Sequence, residues 1–301
     1  MDIGLCACFS DEQVSRLRAA VRPDKLRIVG PDELLGCEVV FGNPAPEAIR
    51  EGGPLRWLQL ESVGFGEYAD IACLKTGSIR MTNLAGFFAE PVAESILAGI
   101  LALYRGMDRL VSFKEQRRWV GDDLRPQIRT LRGASVVLFG YGSINRRLEA
   151  LLQPFDCRLT RFSRRWDEGQ LDAALADADV VISTVPGTSA TASLFDARRL
   201  QCLSAGSVFC NFGRGSLVDE NALADALEQG CLRGAVIDVT NEEPLPANHR
   251  FWNCPNLLLT QHTGGGSFDE MDRKIDFFLA NLQRFRAGQS LESVIDPARG
   301  Y

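Results

Sequence analysis

The sequence is short of positive charge and has no long apolar run. Its 33 Lys and Arg residues against 39 Asp and Glu give a formal net charge of −6, which excludes the basic surface that nucleic-acid binding needs. The longest apolar stretch, residues 92–104, contains Glu94 and Ser95 and is far shorter than the roughly 20 residues of a membrane span. The N-terminus has no basic segment before its apolar run, unlike a signal peptide. We therefore predict a cytoplasmic protein with no nucleic-acid or membrane partner.

Side chains that commonly bind metals are also scarce. Only two of the 301 residues are histidines, and the nine cysteines include no Cys-x-x-Cys pair, so neither a zinc site nor a disulfide framework is expected. Several cysteines lie in apolar, strand-like runs, and we interpret them as small core residues in a reducing compartment. These are Cys6, Cys8, Cys157 and Cys210.

The sequence does contain short apolar runs that alternate with helical patterns, which is typical of parallel-sheet α/β proteins. With 46% hydrophobic residues, the chain can build two cores. A first series predicts strands at 3–9, 26–29, 38–41, 57–60 and 79–81, with a helix at 11–21. A helix at 91–110 and a polar stretch at 114–132 follow. The second series predicts six parallel strands, at 135–139, 158–162, 180–184, 207–211, 234–238 and 257–260, then a helix at 268–286 and a tail at 291–295.

These two series predict two α/β domains. The second is expected to be a doubly wound parallel sheet of the Rossmann type that binds the cofactor, over residues 87–276. The first is expected to be a smaller, flavodoxin-like substrate domain over residues 1–86 and 277–301. In this arrangement the tail at 291–295 crosses back to complete the first domain.

The second series opens with a glycine-rich turn. Its first strand is followed by Gly140, Tyr141, Gly142, Ser143 and Ile144 at the start of a helix, where backbone amides and the helix dipole can meet a pyrophosphate. The next residue, Asn145, stands where the dinucleotide fingerprint has its third glycine. Its amide must therefore be tolerated by a small shift or be hydrogen-bonded nearby. The alternative interpretation is a plain tight turn between strand and helix.

The end of the strand at 158–162 should decide between NAD and NADP. An acidic residue there would bind the ribose 2′-hydroxyl, whereas an arginine would accept a 2′-phosphate. This chain has Ser163, Arg164 and Arg165 and no carboxylate at the strand end. Because charge-assisted hydrogen bonds contribute about 1.5–3 kcal/mol each, we predict that NADP is preferred roughly tenfold to a hundredfold. NAD stays possible, since two loop arginines can also be simply solvated.

Polar residues near three further strand ends predict a reacting centre. Arg214, Asp238 with Glu243, and His262 follow or end successive strands, where open α/β sheets bind their ligands. Hydride transfer to a carbonyl group leaves negative charge on its oxygen, so it needs a proton donor and a fixed cation, which His262 and Arg214 can supply. Glu243 would favour the imidazolium and hold its tautomer. Taken singly, these residues could instead be a surface ion pair, a helix cap or a polar strand end. The other histidine, His249, has no such neighbours in the sequence and is expected to be exposed.

Three ordered segments resemble the signature segments of the D-2-hydroxyacid dehydrogenases. They are Asn211-Phe-Gly-Arg214-Gly215, Asp238-Val-Thr-Asn-Glu-Glu243-Pro244 and Thr260-Gln-His262. The resemblance covers nearly the whole chain and is strongest to the glyoxylate/hydroxypyruvate reductase branch. It implies NAD(P)H-dependent reduction of a small 2-oxoacid to the D-2-hydroxyacid. The chain departs from the family pattern at Asn145, which affects the pyrophosphate geometry, and at Gln261, which replaces the usual proline and affects the aim of the imidazole.

The resemblance also implies further contacts. Val63 and Gly64 lie in a segment similar to the family's loop for the substrate carboxylate, and Asp238 resembles its contact to the nicotinamide carboxamide. Val185 and Pro186 are predicted to bind the cofactor as well. The family implies a homodimer that pairs around the helix at 91–110. Two alternatives stay open: a nucleotide-binding scaffold or regulatory protein with little turnover, and a dehydrogenase of the same fold that acts on another small anion, inorganic or one-carbon.

Overall fold

The computed structural model describes residues 1–34 and 36–296, which form eleven strands and nine α-helices. The strands are β1 (Asp2–Cys6), β2 (Lys25–Ile28), β3 (Val39–Gly42), β4 (Trp57–Gln59), β5 (Arg80–Thr82), β6 (Ser135–Phe139), β7 (Arg158–Phe162), β8 (Val180–Ser183), β9 (Val208–Asn211), β10 (Gly234–Ile237) and β11 (Leu257–Leu259). The helices are α1 (Asp11–Ala20), α2 (Ala72–Lys75), α3 (Ala89–Arg105), α4 (Met107–Glu115), α5 (Ser143–Leu152), α6 (Glu168–Ala176), α7 (Ala197–Cys202), α8 (Glu220–Glu228) and α9 (Glu270–Arg286).

The chain divides into two units, Met1–Phe87 with Ser267–Tyr301, and Phe88–Gly266. Each contains one parallel sheet, with the order β2-β1-β3-β4-β5 in the first and β11-β10-β9-β8-β6-β7 in the second. The predicted α/β class with two parallel sheets is confirmed.

The expected boundary at 276/277 falls inside α9. The residues of α9 on either side of it, Ile275 and Phe278, both pack into a core of the first unit. The last residues of the expected substrate domain, 297–301, lie outside the described residues.

The central strands of both sheets are buried on both faces, as their nearly continuous apolar sequences require, whereas the edge strands β2 and β7 are largely exposed. In β6, Val137 and Phe139 contribute to one hydrophobic core, whereas Val136 and Leu138 contribute to another. This follows from the alternation of side chains along a strand. The central strand β3 of the first sheet is likewise fully buried.

The prediction of one helix at 91–110 is wrong in its continuity. Gly106 has a left-handed backbone with φ of 64°, which ends α3 and separates it from α4. The apolar side of α3, including Val92 and Ile96, packs into its own unit's core. On α4, by contrast, Met107 and Val111 are exposed.

The cysteine interpretation holds only in part. Cys210 is fully buried, and burial raises the pKa of its thiol. Cys6 and Cys157 are half-buried, whereas Cys8 is exposed because β1 ends at Cys6 rather than at residue 9. Cys8 is therefore not a core residue.

The C-terminal tail returns to the first sheet, as the sequence predicted. Val294 forms an antiparallel bridge with Thr82, and the Ile295 amide donates to the Met81 carbonyl at 2.9 Å. In the described part of the chain, none of the helices has the length and apolar character needed to span a membrane. Among the same residues, no group of three or more His, Cys, Asp or Glu side chains could hold a metal ion.

Candidate active site

The six strands of the second sheet end in register. The last residue of each strand pairs with the last residue of its neighbour, from Phe162 across to Leu259. Since β7 and β8 lie on opposite sides of β6, the topological switch point, where such sheets bind ligands, lies beside Gly140. The residues that follow the strands therefore share one edge: Ser163, Gly140, Thr184, Phe212, Asp238 and Thr260.

The glycine-rich turn fits a pyrophosphate. Gly140 has φ of 89°, and a Cβ there would lie 2.6 Å from Val185 Cγ1, so only glycine allows this approach. A Cβ on Gly142 would meet no atom closer than 4.0 Å, which leaves the start of α5 open. In the described chain no side chain caps that helix. The first-turn amides, beginning at Ser143 and Ile144, thus remain as donors for an anion.

Asn145 is hydrogen-bonded nearby through its side-chain nitrogen, one of the two expected outcomes, while its buried Oδ1 has no partner among the described residues. Its side chain is fully buried, and Nδ2 lies 3.2 Å from Phe139 O, 3.1 Å from Gly140 O and 3.1 Å from Thr184 Oγ1. The Thr184 hydroxyl donates to Gly140 O as well, at 2.9 Å. Asn145 therefore ties the end of β6 to the end of β8, directly beneath the glycine turn.

Tyr141 is anchored by an acid and an arginine behind the turn. Its hydroxyl hydrogen-bonds Glu149 on α5, and Arg161 binds the same carboxylate through Nε at 2.9 Å and Nη2 at 2.7 Å. The Arg161 and Tyr141 hydrogen bonds outweigh desolvation and lower the pKa of Glu149 to about 2. The guanidinium of Arg161 is thus already paired with the Glu149 carboxylate.

A pocket of about 400 Å³ opens beside the end of β7. Two of the three predicted ribose-end residues, Ser163 and Arg165, contribute to its lining together with Trp166. Arg164 is exposed on the same turn. Arg161 and Asp167 line it as well, and the Asp167 carboxylate accepts from the Gln170 amide at 2.9 Å as the cap of α6. The pocket is large enough for a nucleotide base or a ribose with its phosphate, and one of its two arginines, Arg165, lies at the position that the sequence indicated.

Arg214 projects from a turn that its own neighbours organise. Asn211, the last residue of β9, accepts from the Gly213 amide at 3.1 Å and donates to the Arg214 carbonyl at 2.9 Å. A Cβ on Gly213 would lie 2.3 Å from the Val185 carbonyl oxygen, so the backbone after β9 packs directly on the segment after β8. Pro186 follows on the exposed side. The predicted residues at 185, 186 and 214 are thereby neighbours.

Asp238 holds the turn that carries the histidine and does not cap a helix. Its Oδ1 accepts from the Thr260 hydroxyl at 2.5 Å and from the Gly264 amide at 3.0 Å. Its backbone carbonyl accepts from the His262 amide at 2.6 Å. The carboxylate, 6% exposed, therefore fixes the end of β11 against the end of β10.

His262 and Glu243 are in contact, as the sequence predicted. His262 Nδ1 lies 2.6 Å from Glu243 Oε2, and the imidazole side chain is 56% exposed, so Nε2 is left for a substrate. Burial opposes ionisation of Glu243, but its hydrogen bonds to His262 and the Thr240 amide outweigh this and lower the pKa of the carboxyl. The positive charge of Arg214 acts in the same direction. Glu243 is thus an anion that orients the ring.

Gln261 has a backbone that proline could not adopt. Its φ is 52°, and that of His262 is 57°, whereas proline is fixed near about −65°. Two successive non-glycine residues in the left-handed region are uncommon and concentrate at functional turns. The replacement of the usual proline by Gln261 therefore goes together with the left-handed backbone that leads to His262.

In the first unit, Val63 and Gly64 lie exposed in the loop after β4. The Ser62 hydroxyl donates to the Gly64 carbonyl at 2.8 Å, and Asn83 Nδ2 donates to the Val63 carbonyl at 2.6 Å. The sequence analysis did not predict the contact of Asn83 with this loop. Its position as a polar residue directly after a buried strand could have indicated it. With both carbonyls engaged, the loop has a defined shape.

Comparison with known proteins decides the family. Residues 97–264 match the model described as D-isomer specific 2-hydroxyacid dehydrogenase, NAD binding domain. The chain belongs to the D-isomer specific 2-hydroxyacid dehydrogenase family. It is therefore an NAD(P)-dependent oxidoreductase.

Relatives of this dehydrogenase cover most of its length. It is 28% identical to a glyoxylate reductase of Thermofilum pendens, over 91% of this chain and 84% of that protein. A crystal structure of a family member from Aeromonas salmonicida superimposes with a TM-score of 0.82, at 27% identity over 98% of this chain and 99% of that one. An NADPH-dependent glyoxylate/hydroxypyruvate reductase from Sinorhizobium meliloti, in complex with NADP and sulfate, shares the fold, with a TM-score of 0.82 at 21% identity over 100% of this chain and 99% of that one.

One expectation about this dehydrogenase is wrong. His249 is not a free surface residue, because Nε2 lies 3.4 Å from Glu220 Oε2 and Nδ1 accepts from the Phe251 amide at 3.2 Å. The ring also meets Phe251 edge-on. No pattern in the sequence indicates this contact, since Glu220 and His249 are far apart in the chain.

Proposed function

We propose that this dehydrogenase reduces a small 2-oxoacid of the glyoxylate or hydroxypyruvate kind to the D-2-hydroxyacid with NADPH. The observation that carries the proposal is the contact between His262 and Glu243, on the sheet edge that also bears Arg214 and the open helix start after Gly142. Bound NADPH would supply the hydride. The same edge thus offers a cation, an oriented acid and an anion site.

Each side chain has a defined task in this proposal. His262 gives the proton from Nε2 to the carbonyl oxygen as negative charge develops there, and Glu243 keeps Nδ1 protonated. Arg214 binds the substrate carboxylate with its planar guanidinium, and the amides of Val63 and Gly64 are proposed to bind the same group. Asp238 is proposed to orient the nicotinamide carboxamide.

The preference for NADPH rests on Arg165 and Ser163, which line the pocket at the end of β7, with Arg164 beside them. Arg161 is already paired with Glu149, so the 2′-phosphate would rely chiefly on Arg165. Arg165→Ala should raise the NADPH KM about tenfold and leave the NADH KM nearly unchanged, since one charge-assisted hydrogen bond contributes about 1.5–3 kcal/mol. Equal kcat/KM with both cofactors in the unmodified enzyme would contradict this preference.

A substrate panel with two variants tests the reaction itself. Glyoxylate, hydroxypyruvate, larger 2-oxoacids and formate are assayed with NADPH and NADH, or with the oxidised cofactors for formate. His262→Ala should lower kcat on the best 2-oxoacid about 10²–10⁴-fold, with NADPH binding intact. Glu243→Gln should lower kcat less than His262→Ala does, because the amide oxygen can still accept from Nδ1 and hold the ring. Retention of more than about a tenth of kcat by His262→Ala would refute the mechanism.

The same panel separates the competing functions. A nucleotide-binding scaffold would bind NADPH, which fluorescence titration detects, yet reduce no 2-oxoacid. A dehydrogenase for another small anion would show turnover only on that anion. Both outcomes contradict the proposed 2-oxoacid reductase.

We further propose a homodimer that pairs through α4 and the segment after it. Met107, Val111 and Trp119 are exposed there, Trp119 to 95%, and such apolar residues grouped in one region favour an interface. The interface is thereby placed at and beyond the C-terminal end of the expected 91–110 region, because the apolar side of α3 is used in its own core. Light scattering should give twice 33.1 kDa, and Trp119→Ser with Val111→Ser should shift it to the monomer.

A further inference from the structure

The segment that carries Glu243 is a loop, so its position must be held from outside. Residues 241–244 are exposed, and no helix or strand follows β10 until residue 250. One fixed contact is with Gly215: a Cβ there would lie 2.0 Å from the Thr240 carbonyl carbon and 2.4 Å from the Asn241 nitrogen. The loop backbone therefore lies directly against the backbone that follows Arg214.

Glu220 holds the same loop by a second contact. It is the first residue of α8, and its Oε1 accepts from the Asn241 amide at 2.8 Å. Two residues further along the loop, Glu243 Oε1 accepts from the Thr240 amide at 2.9 Å. The Glu220 contact thus fixes one peptide plane next to the residue that orients the Glu243 carboxylate.

His249 in turn orients Glu220. Because Nδ1 of His249 accepts from the Phe251 amide, the neutral ring carries its proton on Nε2, which faces Glu220 Oε2 at 3.4 Å. The Glu220 carboxylate therefore has one oxygen for the loop and one for the ring. Both side chains are mostly buried, at 14% and 25% exposure.

We propose that Glu220 and His249 are positioning residues for the proposed reduction: through the Asn241 amide they keep the Glu243 carboxylate on the His262 ring. This inference rests on the proposed function only for its kinetic readout. Neither residue touches substrate or cofactor in this role.

The charged groups around the two pairs are few. Arg214 and Asp238 lie near Glu243 and His262, while Asp219 precedes Glu220, and Arg250 next to His249 is paired with Asp225 and Glu228. Glu242 lies in the loop itself. Glu220→Ala also removes a negative charge, whereas Glu220→Gln removes the same charge and keeps the acceptor, so the difference between the two variants reports the route through the loop.

Glu220→Ala is the main test, with glyoxylate and NADPH as probes. We expect kcat to fall about tenfold while the NADPH dissociation constant stays unchanged, since small misplacements of catalytic groups cost on that scale. Glu220→Gln keeps an acceptor for the Asn241 amide, although its amide nitrogen then faces His249 Nε2, and it should restore kcat to within about threefold.

A histidine NMR spectrum gives a readout that needs no turnover. The chain has two histidines, so the ring resonances that remain in His249→Ala are those of His262. In Glu220→Ala the His262 ring resonances should change position, whereas in Glu220→Gln they should stay near their wild-type positions. If the wild type reduces no 2-oxoacid, the proposed function fails while this spectrum still tests the positioning role.

Glu228→Ala is the matched control, since it removes a carboxylate from the same helix without contact to the loop. It should leave kcat and the His262 resonances unchanged. Values for Glu220→Ala equal to those of Glu228→Ala would overturn the proposal, as would a loss of kcat that Glu220→Gln does not restore. If Glu220→Ala is not recovered folded, Glu220→Asp, which withdraws the carboxylate by one methylene, must show smaller shifts in the same direction; unchanged values overturn the proposal.

A double-mutant cycle tests the link between the two positioning residues. Because His249 acts only through Glu220, the double variant with alanine at both positions should lose no more kcat than Glu220→Ala alone. Additive losses, each measured with glyoxylate, would show that His249 acts by a separate route and would overturn its part of the proposal.

Discussion

The two units share one topology but differ at the start of the helix that follows the first strand. In the first unit, Ser10 caps α1: its hydroxyl accepts from the Gln13 amide at 3.3 Å, and the Gln13 side chain accepts from the Ser10 amide at 3.1 Å. In the second unit, the equivalent position is Gly142, and α5 has no side-chain cap in the described chain. One helix start is satisfied by the protein, and the other is left for a ligand.

This difference explains why the same strand order supports different roles. A helix start whose donors are already occupied has little to offer a phosphate, whereas an open one adds its dipole to its free amides. Topology alone creates a switch point in both sheets, and both have a close glycine approach there, Gly42 against Cys6 in the first and Gly140 against Val185 in the second, so the difference lies in the helix start. The local sequence at the turn therefore decides which unit binds the cofactor.

The strongest test is to make the second helix start like the first. Gly142 has an extended backbone with φ of −94° and room for a side chain, so Gly142→Asp should fold and cap α5. The carboxylate would occupy the amides that a pyrophosphate needs and repel its charge. We expect the NADPH dissociation constant to rise about a hundredfold, the equivalent of about 2.7 kcal/mol or one strong charge-assisted hydrogen bond. Fluorescence titration measures the constant.

The reciprocal change serves as the control for this test. Ser10→Ala removes the cap of α1 and should lower the free energy of unfolding by about 1 kcal/mol without altering NADPH affinity. Undiminished NADPH binding by Gly142→Asp, with a normal melting temperature, would mean that the open helix start is not the anion site.

Features of the fold and the site that depend on neighbouring residues could be predicted from the sequence, whereas contacts between distant segments could not. The apolar runs and Gly-x-Gly predicted both sheets and the glycine turn, and the spacing of charged residues at strand ends brought Arg214, Glu243 and His262 to one edge. The break at Gly106 was missed because the apolar pattern continues through it. The Glu220 to His249 contact could not be predicted, because it depends on how α8 and the loop after β10 pack.

Strain in the backbone distinguishes the units as well. Of the seven described non-glycine residues with positive φ, only Ser293 lies in the first unit. Gln261 and His262 are consecutive. Gln261→Pro would require φ near about −65° where the backbone has 52°, so the turn must rearrange. We expect a kcat loss of about tenfold or more and a destabilisation of about 1–3 kcal/mol, measured by steady-state kinetics and urea unfolding.

Glycine at the same position separates strain from the side chain. Gln261→Gly accepts positive φ without penalty and should keep kcat within about twofold, since relief of left-handed strain of about 1–2 kcal/mol offsets the entropy of glycine of about 0.5–1 kcal/mol. A fully active Gln261→Pro would show that the left-handed path is unnecessary for placing His262.

The smallest expected difference concerns an ion pair on the first helix of each sheet. On α1, Arg16 lies 3.0 Å from Asp272, and both side chains are well exposed. On α5, Glu149 is 22% exposed and accepts two hydrogen bonds from Arg161 and one from Tyr141. The second pair should therefore stabilise its unit more than the first, and with a different dependence on pH.

Glu149→Gln should lower the free energy of unfolding by about 1 kcal/mol or less at pH 7, because solvent still reaches Arg161 and screens the pair. The pKa of Glu149 is about 2 in the folded protein, below the ordinary value of 4.5, so its stabilisation is complete above about pH 4.5 and is lost as the pH falls toward 2. The gap between wild type and Glu149→Gln should accordingly narrow from pH 6 to pH 3 in urea unfolding. Asp272→Asn, the exposed counterpart, should change stability by less than about 0.5 kcal/mol at either pH. A gap for Glu149→Gln that stays constant across this range would mean that the loss reflects packing of the side chain and that the charge of Glu149 contributes nothing to holding α5 against β7.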